Sequence, residues 1–174
     1  MSQSFKKLLT GWTALALLLG SAGAFAQSAL QSAASQLQPG QWVQFQTSGF
    51  NSALLSYPSN RSALEYAESL KWDPVRKQMH FVGGGHYEAT KHLVYSESSN
   101  SWVSRPVPGG FFGVPNHGYD HIAINLATRT LYHRQFNSPR MDRYNLDSET
   151  WSQGASLTSV TPSYQVAAGV EWFP

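Results

Sequence analysis

The 174 residues carry 12 Lys+Arg, 10 Asp+Glu, six histidines and no cysteine, and the aromatic share, 13%, equals the charged share. The lack of cysteine excludes disulfides, thiolate metal sites and cysteine nucleophiles, and the near balance of charge argues against nucleic acid as a partner. Many aromatics with few charges suit a β-rich fold, or a surface that stacks on sugar-like ligands.

In chain order the first element is a leader. Lys6 and Lys7 precede an apolar run, "LLTGWTALALLLGSAG", and Ala24–Ala26, "AFA", is a small-x-small cleavage signal. This predicts an exported protein, periplasmic or extracellular, cut after Ala26. The leader holds both lysines and no acid, so the remaining 148 residues have ten basic and ten acidic side chains. No later apolar run is long enough to span a bilayer, so no membrane contact is expected after cleavage.

Residues 27–38 read as a linker, and 40–46, "GQWVQFQ", alternate as a strand around Trp42. Beyond them the chain repeats. Tyr95–Trp102 ("YSESSNSW") and Tyr144–Trp151 ("YNLDSETW") share a Tyr-to-Trp spacing of seven about an Asn/Asp/Ser-rich centre, with 49 residues from Trp to Trp. Such centres are turn chemistry between two strands. Ser69–Phe81 ("SLKWDPVRKQMHF") aligns with His121–His133 ("HIAINLATRTLYH") at an offset of 52, each being two apolar strands about a polar turn. Trp172 in the terminal "GVEWFP" lies 100 residues after Trp72. One unit therefore runs strand a, turn, strand b, loop, strand c with Tyr, turn, strand d with Trp, the pattern of a four-stranded propeller blade.

"MHFVGGG" (Met79–Gly85) followed by Tyr95 and Trp102 resembles a kelch motif, and the chain from Trp42 to Pro174 resembles the kelch and galactose-oxidase-like β-propellers. In the second unit "LYHRQFN" (Leu131–Asn137) replaces the apolar-Gly-Gly piece, so only the Tyr/Trp half fits. The resemblance implies an all-β partial propeller over 39–174: blade one at about 62–105, blade two at about 117–154, and the start of blade three at 165–174. Two blades and flanking strands cannot close a ring, so the chain reads as the N-terminal part of a longer protein that supplies the rest of the propeller. The strand at 40–46 would complete the last, missing blade.

Blade topology sorts the polar residues. The d-to-a connections and b-to-c loops share one face, which predicts that His86, His117, Tyr119, His121, His133 and Arg134 lie together there, with His92 in the b-to-c loop and His80 inside strand b. Tyr119 aligns with Ala67 and Ala167, and His121 with Ser69 and Gly169; His133 and Arg134 align with Phe81 and Val82. Large polar groups thus replace small or apolar ones in blade two alone, and exceptions to a pattern are expected at functional sites; a structural role, bonding loop backbones between blades, is the other explanation.

Three chemistries are open to this set. Histidine and tyrosine could act as acid and base, with Arg134 holding a carboxylate, in β-elimination from a uronic-acid polysaccharide; secreted propeller lyases use the same residue types. His117 and His121, joined by His86 or His133, could hold zinc. Paired-carboxylate hydrolysis has only Asp120, Glu88, Glu65 and Glu68 to draw on. Copper-radical chemistry of the galactose-oxidase kind needs a Cys–Tyr crosslink, which this chain cannot make. The non-catalytic alternative is a glycan- or protein-binding module, with Tyr87, Asn60, Arg61, Phe112 and Asn116 as binding residues and Phe111, Phe136 and Tyr119 as further stacking surfaces.

Overall fold

The computed structural model describes residues 27–68, 70–85, 87–108, 117–119, 121–135, 138–156 and 169–173. Residues 1–26 and 157–168 lie outside the described residues. Two four-stranded antiparallel sheets make up most of the regular structure. The first comprises β1 (Lys71–Asp73), β2 (Gln78–Gly83), β3 (Lys91–Ser96) and β4 (Ser101–Arg105), and the second β5 (Ile122–Asn125), β6 (Thr130–Arg134), β7 (Met141–Asn145) and β8 (Thr150–Ser152). Each sheet is a meander of sequential neighbours.

The repeat holds at the level of register. Asp73 pairs with Gln78 and Asn125 with Thr130, while Tyr95 pairs with Trp102 and Tyr144 with Trp151. The turns match as well. Lys77 and Arg129 close the first turn of each sheet at φ 53° and 52°, and Asn100 and Glu149 close the other turn at 48° and 55°. Side-chain oxygens start the turns: Asp73 accepts from the Val75 amide, and Asn125 and Asn145 each accept from two amides that follow in their turns. These Asx contacts fix a left-handed end residue without requiring glycine. The carbonyls of Lys77 and Arg129 then accept the amides of Glu97 and Leu146, which ties the two turns of each sheet together.

Alternation gives each sheet two faces. The first sheet turns Val82 towards Ile122, Leu131, Tyr144 and Leu146 of the second, and Trp151 packs beside them. Its other face carries Phe81 and Leu93 under Tyr57 and Ala63, flanked by Leu54, Leu55, Ala67 and Trp102. Lys91 secures that cover by donating to the carbonyls of Leu54 and Ser56 and lying over the Tyr57 ring. At the opposite rim an ion network joins the sheets. Arg129 donates through both terminal nitrogens to the buried Asp73 carboxylate, each at 2.7 Å, and through Nε to Asp147. Arg76 and Arg105 both donate to Glu149.

Three expected stretches differ. Residues 40–46 form no strand, and Trp42 is 96% exposed. Alternation alone does not supply a ladder partner; instead Ser48 bridges Ser101 in parallel at the outer edge of β4, its amide donating to Asn100 and its carbonyl accepting from Trp102. The stretch read as a linker holds a helix, α1 (Ala29–Ser35), set by a capping box between Ser28 and Gln31 in an alanine-rich run. Another short helix, α2 (Ser52–Leu55), is capped by Asn51. Of the stretch expected to begin a third blade, 169–173 is irregular, with Trp172 stacked on Tyr132 at 6.2 Å and Glu171 paired with Lys71.

Candidate functional site

The segment entering β5 carries a chain of rings. Tyr66 stacks on His117 at 4.3 Å, His117 meets Tyr119 edge-on at 5.0 Å, and Tyr119 meets His121 at 5.7 Å. The backbone explains their position. Glu68 donates its amide to the Gly118 carbonyl, and Gly83 lies against Gly118 so closely that a Cβ on Gly83 would collide with the Gly118 Cα. This close approach gives the glycine run after β2 its physical reason. The Arg134 amide donates to the His121 carbonyl, prolonging the β5–β6 ladder by one step.

Burial divides the predicted set. His121 and His133 are fully enclosed, and His117 and Arg134 are buried; Tyr119 and Tyr66 are half-exposed. His133 is Cα partner to both Ile122 and Asp142, so its ring points into the layer between the sheets. Desolvation, aided by His121, Arg140 and Arg134, pushes its pKa down to about 3. Desolvation also lowers the pKa of Arg134 and raises that of Asp142, which Arg140 partly compensates through contacts of 3.0 to 3.3 Å. Tyr119 is shifted upward by burial and by the neighbouring Tyr66 and Glu68, which favours its protonated form.

The expected face therefore comes together in part. Structure joins His117, Tyr119 and His121 and sets His133 electrostatically beside His121. Asn60 and Tyr87 are exposed, each with a left-handed backbone, and Arg61 pairs with Glu65 at 3.1 Å. Glu88 accepts a hydrogen bond from Ser59. His86, Phe111, Phe112, Asn116, Asp120 and Phe136 lie outside the described residues. Among the described residues no group of three or more His, Asp or Glu is arranged to hold a metal, so the expected zinc site is not assembled from them.

His92 does not lie in the b-to-c loop. It sits in β3, where its Nε2 is 3.0 Å from Nδ1 of His80 in β2, and both rings are enclosed. His92 packs edge-on to Tyr144 at 4.6 Å and near Trp151 at 5.5 Å. The signal for this was present in "KHLVY", where His92 shares alternation with Val94, and in "MHFV", where His80 shares it with Val82.

No family model, curated protein or solved structure matches the chain. The class defined by the fold is an all-β protein of two packed four-stranded antiparallel sheets. No helix among the described residues is long and apolar enough to cross a membrane.

Proposed function

We propose that the chain forms blades of an exported kelch-like β-propeller that binds glycans on its loop face through Tyr66 and Tyr119, with buried His117 as the ring behind them, without chemical turnover. The observation that carries this reading is the contrast in access within the ring chain. Tyr66 and Tyr119 open to the surface, while His121 and His133 at its inner end have no exposed area to offer a substrate. Half-exposed aromatics backed by a buried ring make a rigid stacking ledge at low entropic cost. Arg61, Glu65 and Glu68 supply polar groups nearby on the same connection. Elimination from a uronate would call on His121, His133 and Arg134, but both histidines are enclosed and desolvation makes His133 a weak base. The propeller reading draws support from the meander sheets, the matched turns and the glycine packing behind β2.

Calorimetric titration with a polygalacturonate and a neutral β-glucan tests the proposal. Binding to at least one, weakened about tenfold by Tyr119→Ala as expected for one lost stacking contact, supports it. Failure to bind either glycan, or accumulation of an ultraviolet-absorbing unsaturated uronate, overturns it. Intact mass of the exported chain, with Gln27 as first residue, tests the leader.

A further inference from the structure

We infer that the His80–His92 pair, joined across adjacent strands of the first sheet, is a proton-sensitive switch in the layer between the two sheets, keeping them packed while both rings are neutral and parting them when a single proton is added. Proton count is the starting point. In a neutral pair one ring donates and the other accepts across the 3.0 Å contact. Whichever way it runs, one of the two outward nitrogens, His80 Nε2 or His92 Nδ1, carries a hydrogen and the other a bare lone pair. Both outward nitrogens are enclosed and lack a hydrogen-bond partner among the described residues. An added proton can only settle on that bare nitrogen or break the shared bond, and either result leaves a buried cation.

The surroundings favour that cation only through Asp73, whose charge draws a proton towards His80 but is outweighed by desolvation. From the first sheet, Asp73, Arg76 and Arg105 face the pair; from the second, Arg129, His133 and Tyr144 do. The one carboxylate among them, Asp73, is already committed to Arg129 by two hydrogen bonds. Arg76 and Arg105 are held by Glu149 but remain positive. Tyr144 and Trp151 cover the His92 ring from the second sheet, so water reaches it only if that sheet moves away. Desolvation places His80 at about 4, against an ordinary 6.5, and holds His92 well below its ordinary value. The folded state's advantage is thus complete above pH 6.5 and declines as the pH falls from there towards about 4. Asp73 is also shifted downward, which in a carboxylate preserves the charge, so the ion network at the rim outlasts the histidine layer on acidification.

The experiment is an acid titration of the 15N-labelled protein, following the ring nitrogens of His80 and His92 by NMR and Trp151 by fluorescence. The expected result is that both rings stay neutral, with complementary tautomers, until a single transition between pH 6.5 and about 4 in which their native signals vanish as Trp151 becomes exposed. In the His80→Leu/His92→Leu variant that transition should move down by about one pH unit, as removal of two depressed histidines requires. Either ring titrating near its ordinary value inside an intact fold overturns the inference. So does a folded variant whose midpoint equals that of the wild type. Should the variant not fold, the wild-type titration decides alone.

Discussion

Phe81 and Leu93 in the first sheet, and His133 and Asp142 in the second, occupy the same rung of the same ladder. Both pairs are buried. The apolar pair lies under the cover of Tyr57 and Ala63. The polar pair faces the layer between the sheets, where His80 and His92 also lie. A polar pair at a core position thus marks the joint between the units, while the apolar pair marks a face closed by the chain's own preceding segment. The turn residues make the same point. Lys77 and Arg129 have the same backbone and place, yet the side chain of Lys77 is 53% exposed and lies 3.7 Å from Glu97, whereas Arg129 spans the joint to a fully buried carboxylate.

The sharpest way to break this comparison is at its apolar rung. Phe81→Ala should destabilise the protein by about 3–5 kcal/mol, read from denaturant unfolding, because the enclosed ring leaves a cavity. Arg129→Ala should cost about 3 kcal/mol by stranding Asp73, while Lys77→Ala should cost less than about 0.5 kcal/mol. Similar values for these two would show that the joint does not depend on the ion pair. Gly83→Ala should cost about 1–3 kcal/mol or more, as Gly118 occupies the space the methyl needs. Gln135, at the equivalent place in the second sheet, should accept alanine more readily.

His133→Leu sharpens the comparison through pH. Histidine at this site is neutral when folded to about pH 3 and protonated when unfolded below 6.5, so wild-type stability is lost as pH falls through that window. The variant lacks this loss. Between pH 7 and 5 its stability should fall by about 2 kcal/mol less than that of the wild type, by chemical denaturation at the two values.

The sheets were legible in the chain because period-two alternation and Asn/Asp-rich centres act locally. The Tyr–Trp spacing of seven is the distance needed to bring those residues opposite across a four-residue turn. What was not legible depended on partners elsewhere. Residues 40–46 alternate like a strand, but no ladder edge among the described residues meets them, and the short capped helix Ala29–Ser35 has too few apolar residues to show a helical stripe. At the candidate site, the contrast between His121 and its small counterparts singled out the unusual sheet but not the direction its histidines point. A histidine reads as polar and surface-seeking, although a neutral imidazole against tyrosine and tryptophan can be enclosed. Tyr66, the stacking partner of His117, went unmarked because nothing in "ALEYAE" announces contact across fifty residues.

On the proposed reading, the ring chain binds at its outer end and is structural at its inner end. Calorimetry of a polygalacturonate and a β-glucan against the wild type, Tyr119→Ala and His133→Leu at pH 7 tests this division most directly. The predicted result is that Tyr119→Ala weakens binding about tenfold while His133→Leu binds like the wild type and no unsaturated product forms. Product formation that disappears in His133→Leu, with the fold intact, would contradict it.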